Sequence, residues 1–412
     1  MRANDYPWQP LYMVERSGQP EVVVFGIVAV VTADGGRLPS EQSDVDAPTA
    51  SADAGGQEES TAASNATRQE FAAASDQDSP NALRQHSSGQ LLIERGDSSY
   101  KLWTRSLLKP WQLSSHFRIL RESYPSLTPQ QFALMTSSHS AEKIHLDLLD
   151  QIMCIGKISA DKLKCPPTLP MSNEMKEEIK KQGKGPSSLY HNCSGKHCSY
   201  LLSLQAQGLP LDDYISLENP EHKRVDRALA ESLGVSENSF ERTTDGCQLP
   251  NQNLSLQQMA TLYKQIAQCA ANTDTRALPS LNGRDAKNDI GYIGGLMRLY
   301  PEVIGGQGRL DTRIMAGTFA ADKKRRFVAK GGADGLLAIG VLPDESDKSA
   351  AGIIIKLAAG HDNKHMETIT AEILRRLGIA VAQPDLFTTR ERTDHLKTTF
   401  FLDIKSRHGA CI

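Results

Sequence analysis

Several features are scarce in this chain, and each absence narrows what it can be. Its longest apolar run, Val22 to Val31, falls well short of the roughly 20 residues a membrane-spanning helix needs. That run follows Glu21 rather than a basic region and lacks a small-residue cleavage site, so it does not read as a secretory signal. Charge of either sign is nearly balanced. A net charge of -3 over 412 residues gives no electrostatic reason to expect a nucleic-acid partner. The seven cysteines (154, 165, 193, 198, 247, 269 and 411) are odd in number, scattered and never spaced as C-x-x-C. This excludes a closed zinc knot and points to reduced thiols in a cytoplasmic compartment. There is also no internal repeat.

What is present reads as an ordinary soluble globular protein, with 39% apolar and 23% charged residues. The length allows two lobes around a shared cleft. Residues 40–89 stand apart, carrying nine acidic and two basic residues and almost no large apolar side chain. Such a segment cannot bury enough surface to offset its ordering entropy, so it is expected to be a disordered insertion. The β-branched run Val22–Val31, with Asp34-Gly35-Gly36 behind it, reads as a buried strand entering a hairpin. Gln90–Arg95 reads as its return, so the insertion loops out of the hairpin. The division is then one folded unit made of 1–39 and 90–385, the insertion, and a tail over 386–412 with no assignment.

Beyond the hairpin the pattern is mixed. A helix is expected to begin at Ser106, with Lys109-Pro110 bending or ending its first turn. Thr128-Pro129-Gln130-Gln131 is a helix N-terminus with proline at its first position. Helical periods follow over 141–156, 172–182, 196–207, 219–234, 255–271 and 365–378, and strands over 325–329, 335–341 and 350–358. Helices packed on an antiparallel sheet, plus a helical lobe, give an α/β (α+β) class. Lys323-Lys324-Arg325-Arg326 is read as a solvated turn, Glu142 and His145 as a surface i,i+3 pair, and Cys411 as an unpaired thiol in a frayed end.

Three short segments carry chemistry. Ser106-Leu107-Leu108-Lys109, Ser137-Ser138-His139 and Lys330-Gly331-Gly332 occur in the order of the S-x-x-K, S-D-N and K-T-G elements of penicillin-binding proteins and class A β-lactamases. On a helix, positions i and i+3 share a face, so the Lys109 amine can reach Ser106 Oγ and act as the base that a serine nucleophile needs. A second lysine keeps its partner unprotonated and adds positive potential where an oxyanion develops. His139 sits inside the serine cluster, where proton transfer and simple packing are both open. Between these segments lie Asn192-Cys193-Ser194-Gly195-Lys196-His197 and Thr244-Asp245-Gly246-Cys247. On spacing alone they fit either a partial soft-metal site or two free, buried thiols.

Taken together, these strings resemble the bacterial L-asparaginase II family, the rhizobial type unrelated to the threonine-dependent enzymes. The resemblance runs from about Tyr12 to about Ile379 and includes Arg105 to Gln112, Ser138-His139-Ser140-Ala141-Glu142, both cysteine loops, Gly308 to Thr312 and Lys330 to Gly335. It implies a serine β-lactamase/penicillin-binding-protein-like fold, a homodimer, and hydrolysis of asparagine, a small-molecule amino-acid amide, to aspartate and ammonia. It also implies a zinc ion near the nucleophile. By position, Ser106 would be the nucleophile and Lys109 its activating partner, with Ser138 and Lys330 a second pair. Cys193, Lys196 and Cys247 would bind the metal, and Arg105, His139 and Asp245 would serve the substrate. Four positions depart from the family: Gln248 stands where it usually has glycine, Leu107 replaces a small, usually polar residue, and Cys198-Ser199 replaces a small Ala-Gly pair. The rival readings are a glutaminase, a β-lactam or peptide acyl-serine hydrolase, and, from another class, an inactive zinc-dependent binding protein.

Overall fold

The apolar run at Val22–Val31 becomes the spine of the molecule. In the computed structural model, which describes residues 7–16, 19–32, 90–275, 286–344, 349–382 and 396–402, it lies within a 14-residue strand, β2 (Gln19–Thr32). The first half of β2 pairs antiparallel with β1 (Gln9–Arg16). Its second half pairs with β3 (Gln90–Arg95) on the same side, in the expected hairpin register with Val28 opposite Arg95. The 40–89 insertion, Asp34-Gly35-Gly36 and Cys411 lie outside the described residues.

One further sheet and the remaining strands of the main sheet complete the scaffold. A short sheet joins β4 (Lys101–Trp103), β6 (Pro250–Ser255) and β5 (Arg242–Thr244). In the main sheet, β7 (Phe327–Gly332), β8 (Leu336–Val341) and β9 (Ala351–Leu357) follow in order, β9 pairing with β2. At the far edge β10 (Leu396–Phe400) pairs antiparallel with β1, so the sheet recruits part of the segment that carried no assignment from sequence. Mixed helices and strands with antiparallel sheets make this an α+β protein.

The helices follow their sequence signals closely. Lys143–Gly156, Asn173–Lys181, Ser194–Ala206, Pro220–Leu233, Leu256–Ala271 and Asn363–Arg376 match the six expected periods. Thr128 caps Pro129–Met135, its hydroxyl accepting from Gln131 N while the Gln131 side chain returns to Thr128 N. The helix Leu256–Ala271 lies on β8 and β9, and two glycines facing each other in register, Gly340 and Gly352, allow its approach. A Cβ on Gly352 would fall 1.8 Å from Ala260 O, and one on Gly340 would fall 2.4 Å from Tyr263 O.

Three expectations change. Pro110 does not end the Ser106 turn; a 3-10 turn over Arg105–Leu108 passes into the α-helix Lys109–Ser114, and Pro110 opens that helix where its missing N–H is not needed. Lys330 lies inside β7 rather than past its end. His145 is not a surface residue: it is buried, its Nδ1 accepting from Glu142 N (3.0 Å) and its Nε2 bonding Glu302 O (2.9 Å). Lys323, Lys324 and Arg325 are exposed, as a solvated turn should be, but Arg326 at the end of the run is half-buried and pairs with Asp322 and Asp344. Among the described residues no helix is long and apolar enough to cross a membrane.

Candidate active site

Four elements deliver the chemistry. The Arg105–Leu108 turn carries Ser106, and the first residue of the following helix is Lys109. The loop after Pro129–Met135 carries Ser138, its backbone fixed by a hydrogen bond from Ser138 N to Ile304 O (2.8 Å). The edge strand β7 carries Lys330. The N-terminus of Ser194–Ala206 closes the floor behind them.

Lys109 and Lys330 are both buried, and both converge on one hydroxyl. Lys330 Nζ lies 2.7 Å from Ser138 Oγ and 3.1 Å from Gly331 O. Lys109 Nζ lies 3.0 Å from Ser138 Oγ and 3.3 Å from Asn192 O, and it also bonds Ser137 O. No hydrogen bond joins Lys109 to Ser106 among the described residues. Burial depresses the pKa of both lysines, well below the usual range for Lys330 despite the nearby Asp311 carboxylate. The hydrogen-bond partners accommodate a neutral Lys109. A neutral Lys109 spends its two N–H bonds on the carbonyls of Ser137 and Asn192, leaving its lone pair to accept from the Ser138 hydroxyl. Lys330 donates to Gly331 O and to the Ser138 oxygen. Every hydrogen in the triad then has a place.

Ser106 and Ser138 face a common groove of about 860 Å³, walled by the Glu142–Ile144 and Met171–Met175 segments, by Gln307–Asp311 and by His361, Asn363 and Met366. Leu107 does not enter it. The side chain is fully buried beneath Gly332, and its carbonyl accepts from Tyr263 OH (2.8 Å). The substitution is therefore a core contact.

Arg105, His139 and Asp245 lie outside the residues lining this groove. Arg105, with a left-handed φ of 50°, is held by Asp245 (Nε to Oδ1, 2.7 Å) and by Asp334. Ion pairing thus fixes the strained residue before Ser106. His139 is buried with both ring nitrogens engaged: Nδ1 accepts from Ala141 N (3.1 Å), so Nε2 carries the proton and donates to Ser194 Oγ (2.9 Å). Burial, helped by the neighbouring His145 and Lys109, holds it neutral. Its ring pins the Ser138 loop to the cysteine-bearing helix.

The two cysteine loops meet beside this floor. Lys196 Nζ is 3.1 Å from Cys247 Sγ, and Cys247 Sγ is 3.8 Å from Asp245 Oδ2. The proximity of the two thiols lowers the pKa of Cys193 and raises that of Cys247, while Lys109 and Lys196 favour charge on Cys193. Burial opposes charge on Lys196, but Cys247, Cys193 and Asp245 outweigh it and keep the ammonium protonated. Two sulfurs and an amine suit a soft ion such as zinc. Among the described residues no cluster of three His, Cys, Asp or Glu side chains could hold a metal, so Lys196 would have to shed its proton to serve as third ligand. Next to Cys247, Gln248 holds φ at 75°, the left-handed geometry of a glycine position, which costs a side-chain-bearing residue about 1 kcal/mol.

Sequence reasoning assigned no role to Arg309 and Asp311. Buried Asp311 accepts from Gly331 N (2.9 Å) and Thr312 N (3.1 Å), and Arg309 donates through Nη1 to Ser138 O (3.1 Å). Burial opposes the Asp311 charge, but Arg309, Lys330 and the two amides hold its carboxyl below the usual range. The pair ties the strand of Lys330 to the loop of Ser138. Their segment, Gly308 to Thr312, was part of the family resemblance, but nothing in it singled out these two side chains.

The sequence model of the family described as L-asparaginase II matches residues 78–400. No curated protein matches the chain.

Proposed function

The chain belongs to the L-asparaginase II family, and from that premise we propose that it hydrolyses L-asparagine to L-aspartate and ammonia through an acyl-serine intermediate on a β-lactamase-like scaffold. The observation that carries the reading is the Lys109–Ser138–Lys330 triad opening on the same groove as Ser106. Ser106 Oγ bonds to the side-chain amide carbon as the carbonyl electrons move to oxygen. Its proton passes to Ser138, which gives its own to neutral Lys109. The returning proton goes to the amide nitrogen, the C–N bond breaks, and ammonia leaves. Water then repeats the sequence on the ester and frees Ser106. Lys330 keeps the Ser138 hydroxyl aimed at Lys109 and donates an N–H to its oxygen.

Cys193, Lys196 and Cys247 would hold zinc, which would supply a fixed positive charge tying the two loops together. Metal content that is unchanged in Cys247→Ser would remove that assignment. A homodimer in the cytoplasm fits the family and the thiol usage, and sedimentation of the purified chain tests the former.

A second reading makes Ser138 the nucleophile, because both amines bond its hydroxyl and neither bonds Ser106. Ammonia release from L-asparagine and L-glutamine, with intact-mass detection of the acyl-protein after acid quench, separates the two in Ser106→Ala and Ser138→Ala. The primary reading expects no adduct in Ser106→Ala. An adduct persisting there would transfer the role to Ser138. Release from glutamine alone would make the protein a glutaminase, and none from either amide would leave a binding protein.

A further inference from the structure

An asparagine molecule brings a carboxylate and an ammonium that need partners besides the machinery acting on its amide. Arg105 and Asp245 are the obvious pair by sequence, but they neutralise each other at 2.7 Å, and Asp334 takes another donor of Arg105. The groove itself offers two cationic side chains, Lys143 and Arg309. Lys143 is 80% exposed and bound to Asp147. Arg309 is anchored: Nη1 donates to Ser138 O, Nε lies 3.5 Å from Asp311 Oδ1, and Nη2 lies 3.4 Å from where a Gly331 Cβ would stand. No hydrogen bond occupies Nη2 among the described residues. The guanidinium is thus a rigid fork laid against the Lys330 strand, with one end free toward the groove.

Across the Gly306–Gly308 turn lies a carboxylate held just as firmly. Glu142 Oε1 accepts from Gln307 N (2.8 Å), and Glu142 N donates to His145 Nδ1. Gly306, at φ 116°, leaves room that a Cβ would take, 2.5 Å from Glu142 Oε1. The Glu142 carboxylate also accepts from His145 N in the cap of Lys143–Gly156, which leaves it further lone pairs, and Glu142 lines the groove. One turn therefore separates a fixed cation from a fixed anion, both beside Ser106 and Ser138.

We infer that Arg309 binds the α-carboxylate of the substrate and Glu142 its α-ammonium, making this turn the amino-acid recognition subsite. The inference rests on the amidohydrolase reading for its substrate class. It accounts for Arg309 touching the Ser138 carbonyl: the residue that grips the head also fixes the relay serine. Nη2 presents its N–H donors to a carboxylate from a guanidinium plane fixed by its other nitrogens, which a lysine cannot reproduce.

The test uses three amides: L-asparagine, 3-aminopropanamide, which lacks the α-carboxylate, and succinamate, which lacks the α-amino group. In Arg309→Met and Arg309→Lys, kcat/KM for asparagine and succinamate should fall roughly 10- to 100-fold further than for 3-aminopropanamide. In Glu142→Gln, asparagine and 3-aminopropanamide should fall further than succinamate. Calorimetric binding of L-aspartate to Ser106→Ala, with and without Arg309→Met, reads recognition apart from turnover and should be lost in the double variant. Equal losses on all three amides, or undiminished aspartate binding, would overturn the subsite. Wild-type protein that hydrolyses none of the amides, yet loses aspartate binding with Arg309, would sink the enzyme reading and leave the subsite standing.

Discussion

Replacing Lys330 by methionine separates a chemical role from a structural one. The side chain is fully buried, with two hydrogen bonds, to Ser138 Oγ at 2.7 Å and Gly331 O at 3.1 Å. Losing them costs about 1 kcal/mol each, and an apolar terminus of similar volume returns about 1 kcal/mol of burial. Asp311 keeps Arg309 and two amide donors, so its charge is not stranded. Near pH 10, where the proton linkage of Lys330 contributes little, stability should therefore change by no more than about 1 kcal/mol. The pH dependence has a definite sign. Burial sets the folded pKa of Lys330 well below 10.5, so within that window the unfolded chain binds more protons than the folded one. Wild-type stability thus falls as pH drops from 10.5 toward the folded pKa, and the methionine variant lacks that loss. Relative to wild type, Lys330→Met should be more favoured at neutral pH than near pH 10. Its kcat should fall about 10²- to 10⁴-fold, the usual contribution of a proton-handling group. Urea unfolding at both pH values and ammonia release measure the two effects. A variant that keeps most of the wild-type kcat, or unfolds much more readily at neutral pH, would refute a neutral catalytic amine.

Two further outcomes concern the scaffold. Gly352→Ala should destabilise by about 3 kcal/mol, since its Cβ would lie 1.8 Å from Ala260 O and 2.6 Å from Lys264 N, forcing the helix Leu256–Ala271 off the sheet. Gly185→Ala, with nothing within 4 Å of its Cβ, should stay within about 0.5 kcal/mol by urea unfolding; equal effects at both sites would undo the close-packing argument. Burial lowers the pKa of His116 to about 4 and that of His222 to about 3, against 6.5 unfolded, so the unfolded state takes up more protons as pH falls from 6.5. Stability is retained above 6.5 and lost below it, by roughly 3 kcal/mol for His116 when the loss is complete; an acid limb no shallower in His116→Asn would contradict this.

The helices and central strands were legible because local signals and tertiary packing agree in them. The capping box at Thr128 and the strand–turn–strand rhythm of 327–357 needed no distant partner. Where a distant partner decides the outcome, sequence pattern was a poor guide. Leu396–Phe400 becomes a strand because β1 has an open edge to receive it. His145 is buried because its ring nitrogens satisfy Glu142 N and Glu302 O, the latter more than a hundred residues away in sequence, and no i,i+3 rule reports that.

The site divides along the same line. Motifs name residues by type and order, so the serines, lysines and cysteines could be singled out; the structure brings Lys330 to Ser138, but it also turns Lys109 to Ser138 rather than to the Ser106 of its own string. Motifs say little about which charges are already spent. Arg105 looked available for a carboxylate because it precedes Ser106, yet two acids from separate loops claim it. Arg309 drew no attention because its value depends on a fixed pose against β7, with one nitrogen committed to the Ser138 carbonyl and another left over. An ionised side chain recognises a ligand only with the valence its neighbours leave it, and that remainder is set by the fold.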